Sequence, residues 1–176
     1  MKMRYRPLLA IGVACAALAS GAWVAQSAVA AGSAQEEQPS LVEDYAYPDA
    51  AAIQASTGVT LLSGDGHIVY ADCNTPPDGN IGLVQVWTTA KVGADQKGLV
   101  CFKVLGPKGH LNLKVPAVFE IDGDGRTPSA GHKMKAELTT DAGQHTTVDV
   151  SPYGSTPVGV GTKGAPTTLL QLDVTP

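Results

Sequence analysis

The stretch LNLKVPAVFEI, residues 111–121, alternates apolar side chains with other residues along its whole length. A period of two over this length is typical of a β-strand that buries one face. The alternation continues through Pro116, which has no backbone N–H to donate to a neighbouring strand. We therefore predict one long strand that bends at Pro116 and passes from one sheet to another, or lies at an edge there. The side chains predicted to share its inward face are Leu111, Leu113, Val115, Ala117, Phe119 and Ile121.

The same period of two recurs in residues 67–73, 132–140 and 167–174. We interpret these segments as strands that are buried on one face and solvated on the other. The apolar runs 83–87 and 99–105 lack a clean alternation, so we expect them deeper, in the middle of a sheet. For the segments 132–140 and 167–174, the predicted inward residues include Met134, Ala136, Leu138, Leu170, Leu172 and Val174.

Turn residues separate these strands, as in the Gly- and Asp-rich stretches 63–66 and 122–125. Roughly eight or nine short strands with dense turns predict an all-β fold, a two-sheet antiparallel β-sandwich with Greek-key connections. The nearest named architecture is immunoglobulin-like. One short N-terminal helix is predicted over residues 48–56, with Pro48 in its first turn and Gly58 after its end.

The N-terminus has the layout of a secretory signal peptide. Lys2, Arg4 and Arg6 precede an uncharged run rich in Ala, Leu and Val. The run closes on Ala28-Val29-Ala30, whose small residues match a cleavage site. We predict cleavage after Ala30 and secretion of the mature protein.

Two alternatives, a retained membrane anchor and a lipoprotein at Cys15, fit this N-terminus less well, because the run is mostly Ala and Gly and apolar residues continue past Cys15. The predicted organisation is a signal peptide over 1–30, a flexible acidic leader over 31–47, and a single β-sandwich domain over 48–176.

The predicted mature chain is acidic. It carries all sixteen Asp and Glu residues against nine Lys and Arg, a net charge of −7. A negative surface disfavours nucleic acid and anionic membranes as partners.

Cleavage would leave two cysteines, Cys73 and Cys101, in an oxidising compartment. An even count there predicts a disulfide, which closes a loop of 28 residues. On the chain-entropy account such a loop stabilises the fold by about 3–4 kcal/mol.

Three histidines, His67, His110 and His132, each follow a glycine at the start of a predicted strand. If those strand starts meet at one end of the fold, the imidazoles become candidate zinc or copper ligands. The sequence has no short His-x-His spacing that would fix such a cluster, so we treat them as separate strand-end residues and predict no metal or other cofactor.

The Asp-Gly-Asp-Gly stretch 122–125 resembles the start of an EF-hand loop. Arg126 and Lys133 stand where further oxygen ligands are needed, so a solvated turn is the better interpretation, with a weak surface calcium as the alternative.

Tyr153, in a Pro- and Gly-containing turn, is the one aromatic of the predicted domain expected to be exposed for binding. Trp87, Phe102 and Phe119 are expected to be buried. We predict no catalytic residue, because the chain has neither a nucleophile elbow nor paired carboxylates on one strand face.

Residues 63–73, followed by Leu83 to Trp87 and Leu99 to Phe102, resemble small secreted proteins of actinomycetes that have no assigned function. The resemblance covers roughly the whole predicted mature domain. It implies an extracellular location and brings no activity or site residues with it.

The favoured hypothesis is a secreted, non-enzymatic binding module whose partner is an extracellular protein or a cell-wall component. One alternative is a secreted enzyme or metal-dependent protein that uses the strand-end histidines. Another is a protease inhibitor with a reactive loop at 74–80 or 122–131.

Overall fold

A computed structural model describes residues 45–176 of the chain. These residues lie in one compact unit and form ten strands, one α-helix and two short 3₁₀ helices. The elements, in chain order, are β1 (Tyr45–Ala46), α1 (Ala50–Thr57), β2 (Thr60–Gly64), β3 (Ile68–Ala71), β4 (Val84–Thr88), a 3₁₀ helix (Ala94–Gln96), β5 (Leu99–Val104), β6 (Gly109–Asp122), β7 (Lys133–Thr140), β8 (His145–Val150), β9 (Ser155–Pro157), a second 3₁₀ helix (Gly159–Thr162) and β10 (Thr167–Thr175).

The strands form one connected, antiparallel and open sheet. Its main order is β3-β5-β4-β6-β10-β7-β8, with β1 paired to β2, and β2 and β9 paired to β6. The all-β prediction is confirmed, and so is the placement of runs 83–87 and 99–105 in mid-sheet, as β4 and β5. The immunoglobulin-like sandwich is not confirmed by this strand order and stays a prediction.

Strand β6 organises the sheet, because its two halves have different neighbours. The first half pairs with β2 and β10, and the second half pairs with β4 and β9. The predicted long strand through Pro116 is therefore confirmed, and the change of neighbours lies at the predicted bend.

The predicted phase of β6 is wrong at Ala117 and Phe119 and right again at Ile121, which is buried. Ala117 has a φ of 52°, and the pairing of β6 with β10 shifts register between Val115 and Val118, the stretch that contains Ala117. An irregularity of this kind moves the following side chains to the other face. Val118 is consequently buried, whereas Ala117 and Phe119 are partly exposed. The freed carbonyl oxygens of Pro116 and Ala117 accept hydrogen bonds from Thr88 Oγ1 and Thr89 N.

A second register shift, between Leu169 and Gln171 of β10, corrects the prediction for that strand. Leu169 and Leu172 are fully buried, while Leu170 is turned to the partly exposed face. Leu170 was predicted to face inward from an unbroken period of two, which the irregular pairing interrupts.

The core consists of the inward side chains of these strands, with Phe102 as its largest fully buried member. Full burial of each aliphatic side chain contributes about 1.5–3 kcal/mol. Core residues contributed by β4 to β7 and β10 include Val84, Val86, Val100, Phe102, Leu111, Leu113, Val115, Ile121, Met134, Ala136, Leu138, Leu172 and Val174.

The predicted helix is present as α1 and ends where glycine was expected. Gly58 adopts a φ of 72° and donates its N–H to Gln54 O, which closes the last turn. Tyr45–Ala46 pair with β2, so these residues of the predicted leader belong to the sheet. The predicted signal peptide, its predicted cleavage site at Ala28–Ala30 and residues 31–44 of the predicted leader lie outside the described residues.

The predicted disulfide is confirmed between Cys73 and Cys101, with the two Cα atoms 5.3 Å apart. It links the residues after β3 to the middle of β5. Residues 45–176 include no helix that is long and apolar enough to cross a membrane.

Candidate functional site

Three loops that are distant in sequence meet beside the end of β6. Gly82 N donates to Asp124 O at 2.6 Å, Arg126 N donates to Asn80 O at 2.9 Å, and Gly125 N donates to Pro152 O at 2.8 Å. These backbone bonds join loops 74–82, 122–131 and 151–154. The turns predicted separately from the sequence thus form one surface.

The glycines of the Asp-Gly-Asp-Gly stretch permit this close approach. A Cβ atom on Gly123 would lie 2.1 Å from Ser151 O, and one on Gly125 would lie 2.2 Å from Ala130 O. Any larger residue at either position would force the loops apart. The motif is explained by backbone packing between loops.

A row of polar residues crosses the sheet next to these loops. Gln85 of β4 is directly opposite Asp122 of β6, and Asp122 is directly opposite Ser155 of β9. Directly opposed residues project from the same face of a sheet. We call Gln85, Asp122 and Ser155 the polar row.

The polar row lines an open cleft of about 500 Å³. This volume is within the range of small-ligand sites. Thr75, Arg126 and Tyr153 contribute further polar groups to its walls, and Cys73 of the disulfide lines it as well. We call this cavity the Asp122 cleft.

Asp122 is only half satisfied. Its Oδ2 accepts a hydrogen bond of 2.8 Å from Trp87 Nε1. Its Oδ1 is buried and has no hydrogen-bond partner among the described residues. Leaving a buried acceptor unpaired costs about 1–3 kcal/mol, and more for a charged group.

Trp87 was predicted to be buried, but it is partly exposed on the outer side of β4. It is opposite Glu120 of β6, so its indole reaches diagonally to Asp122. Phe102, by contrast, is fully buried as predicted.

The other polar ends in the cleft also lack protein partners. Across residues 45–176, the side chains of Gln85, Arg126 and Tyr153 make no hydrogen bond or ion pair to the protein. The Tyr153 residue is 48% exposed. Its turn is held by Ser151 Oγ, which donates to Tyr153 O at 2.6 Å.

The three histidines considered as candidate metal ligands, and His145 as well, each contact a separate carboxylate. Within the described part of the chain, no group of three His, Cys, Asp or Glu residues is arranged to hold a metal ion. The Nδ1 contacts are His67 with Asp65 at 3.3 Å, His110 with Asp173 at 2.6 Å, His132 with Asp124 at 2.6 Å and His145 with Glu137 at 2.7 Å.

Asp124 is the most enclosed of these carboxylates, with its side chain 0% exposed. One oxygen accepts the His132 backbone N–H at 2.8 Å, and the other contacts His132 Nδ1. Both oxygens are therefore occupied by His132. Asp124 serves to fix the loop that leads into β7.

A second row crosses the sheet at the other end of β6. His110 of β6 is opposite Asp173 of β10, Asp173 is opposite Lys135 of β7, and Lys135 is opposite Asp149 of β8. We call these four residues the charged row. Its ion pairs are His110 with Asp173 and Lys135 with Asp149.

Two ionisable groups outside the cleft have pKa values that are shifted by their surroundings. Burial raises the pKa of Asp65. Hydrogen bonds from the backbone of His67 and His110 and from the His67 ring lower this pKa by more than burial raises it, so the net pKa lies below that of a free aspartate. Burial, followed by the charge of Asp72, raises the pKa of Tyr70.

The sequence singled out Tyr153 but missed Gln85 and Arg126. An isolated Gln or Arg carries no signal in the sequence: strand register places Gln85 opposite Asp122, and loop contacts bring Arg126 to the cleft. Comparison of the sequence with protein-family models and with curated proteins gives no match. The geometry of the cleft therefore carries the functional conclusion.

Proposed function

We propose that the protein is exported by its N-terminal signal peptide and works outside the cell as a non-enzymatic binding module, with the Asp122 cleft as its binding site. The Cys73–Cys101 disulfide supports export, because such bonds persist in oxidising compartments.

The observation that carries the proposal is the unpaired, buried Oδ1 of Asp122 in the wall of an open cleft. Buried polar atoms in folded proteins nearly always have a partner, so each exception needs an explanation. Asp122 itself is partly exposed and lines the cleft, so a ligand that donates a hydrogen bond to its carboxylate would supply the missing partner.

The composition of the cleft favours recognition over catalysis. Its lining contains hydroxyl, amide, guanidinium and carboxylate groups, with no His or Lys among the described lining residues. The two aliphatic hydroxyl residues of the wall, Thr75 and Ser155, therefore have no imidazole or amine among the lining residues to activate an attack.

The test is sedimentation of the mature chain, residues 31–176, with insoluble cell wall from the producing organism and, separately, capture of proteins from its culture supernatant. We expect retention by one of these fractions and about a tenfold weaker retention of the D122A variant. D149A, which removes an exposed carboxylate of the charged row, is the control and should bind like wild type. Equal behaviour of D122A and D149A, or no retention at all, would contradict the proposal.

A further inference from the structure

We infer that the Asp122 cleft takes a neutral carbohydrate, a hydroxyl-rich stretch of a glycan. This inference rests on the proposed function and names its ligand class. It follows from the mixture of hydrogen-bond donors and acceptors in the cleft, from the exposed Tyr153 in its wall, and from the presence of both an acidic and a basic side chain there.

The polar groups of the cleft demand both donors and acceptors from one ligand. The Asp122 carboxylate offers only acceptors and has one oxygen unpaired, the Arg126 guanidinium offers only donors, and the Gln85 amide offers both. Adjacent sugar hydroxyls each donate and accept, so neighbouring hydroxyls on one ring satisfy all three groups.

Charge argues for a neutral ligand. An anion that pairs with Arg126 would be repelled by Asp122, and a cation that pairs with Asp122 would be repelled by Arg126. The net charge of −7 on residues 31–176 further disfavours an anionic polymer. A neutral polyol is repelled by neither side chain nor by the net negative charge.

Tyr153 supplies the apolar part of a sugar site. A pyranose ring has a face of C–H groups, which packs on the electron-rich face of an aromatic ring. The Tyr153 turn is tied to the cleft by the Gly125 N to Pro152 O bond and by Ser151 Oγ, so the aromatic side chain is presented from a fixed loop. Such preorganisation lowers the entropy lost on binding.

The cleft is open along the sheet face, a form that suits a segment within a polymer as well as a chain end. Its floor is the polar row, which runs across three neighbouring strands. Hydroxyls along one edge of a glycan would meet Asp122 and then Gln85 or Ser155.

The experiment is affinity electrophoresis of the mature chain in gels containing soluble neutral polysaccharides (a dextran, a β-glucan, a mannan, an arabinogalactan), with alginate as the anionic probe. Calorimetry with glycine and with short peptides tests zwitterionic ligands. We expect retardation by at least one neutral polysaccharide and none by alginate.

The variants Y153A and D122N should each weaken that retardation about tenfold or more. The matched controls are Y45A, which removes another exposed tyrosine, and D149N, which neutralises an exposed carboxylate; both should behave like wild type. Near-UV circular dichroism and thermal midpoints confirm that every variant is folded.

Binding that depends on Asp122 but is confined to alginate, peptides or amino acids would overturn the carbohydrate assignment and leave the proposed binding function standing. Retardation that Y153A and D122N leave unchanged would overturn both. Failure of all the probes, in a preparation that is still retained by cell wall or supernatant through Asp122, would refute the ligand class alone.

Discussion

Polar side chains at the two ends of strand β6 differ in how far the protein satisfies their hydrogen bonds. At its start, His110 belongs to the charged row, in which acidic and basic residues alternate over four neighbouring strands. At its end, Asp122 belongs to the polar row and has only the neutral Gln85 and Ser155 as cross-strand neighbours. At its start β6 contributes His110 to a complete pairing with a carboxylate of β10, and at its end it carries a carboxylate of its own that is only half paired.

The difference separates a structural use of polar groups from a binding use. Asp173 of the charged row accepts from His110 Nδ1 and from Gln171 Nε2, so both its oxygens are occupied by the protein. Asp122 has one occupied oxygen and one buried, unpaired oxygen. Groups already satisfied within the fold stabilise it, whereas unsatisfied ones have interaction energy left for a ligand.

The largest effect is expected from the disulfide that walls the Asp122 cleft. The double variant C73A/C101A should lose about 3–4 kcal/mol of unfolding free energy, because the 28-residue loop is no longer closed in the unfolded chain. Urea denaturation of residues 31–176 measures the loss, and the reduced wild-type protein should match it. Hydrogen exchange should show the cleft end of β6 opening before the charged row. Equal protection of the amides at both ends of β6 would contradict a weaker cleft end.

Asp124 should show the next largest effect. D124A removes a carboxylate that is 0% exposed and binds His132 twice, so we expect a loss of about 3 kcal/mol. D149A removes a carboxylate that is 84% exposed, and its ion pair with Lys135 should contribute less than about 0.5 kcal/mol. Thermal and urea denaturation of the two variants provide the test. Similar losses would mean that burial does not set the strength of these pairs.

Replacing Asp122 of β6 and Asp173 of β10 by asparagine compares the half-paired carboxylate directly with the fully paired one. D173N should lose about 1–2 kcal/mol, because an amide offers one acceptor oxygen where His110 and Gln171 need two. D122N should stay within about 0.5 kcal/mol of wild type or gain stability, because it removes the charge of a partly buried carboxylate that has one unpaired oxygen. A large loss in D122N would show that Asp122 serves the fold.

The smallest effect concerns Asp65, whose folded pKa is lowered. A carboxylate with a depressed folded pKa adds stability above its unfolded pKa of about 3.9 and loses that contribution as the pH falls through the folded value. Wild type should therefore be more stable than D65N at pH 7, and the difference should vanish at strongly acidic pH. Parallel urea titrations at both pH values provide the measurement; a difference that persists in acid would refute the assignment.

Much of the fold was predictable because it depends on local pattern. The strands with a clean period of two, the helix ended by Gly58 and the disulfide between the two predicted mature cysteines all follow from chemistry within a few residues or from a count of cysteines. The predictions failed where another strand intervenes. At Ala117 the backbone adopts a positive φ, and the oxygens around it are held by Thr88 and Thr89 of a different segment.

The candidate site was predictable only in part. Tyr153 was visible as an aromatic residue in a turn, whereas Gln85 and Arg126 carried no signal in the chain. His110 illustrates the same limit, because its carboxylate partner Asp173 lies 63 residues away in sequence.

The amino-acid sequence by itself determined that this chain forms antiparallel strands, where most of them lie and which cysteines join, since alternation and turn chemistry act between near neighbours. Only the tertiary structure decided which residues face one another across strands. Register and bulges depend on contacts between distant segments, and they alone placed Asp122 between Gln85 and Ser155 with an oxygen left to bind.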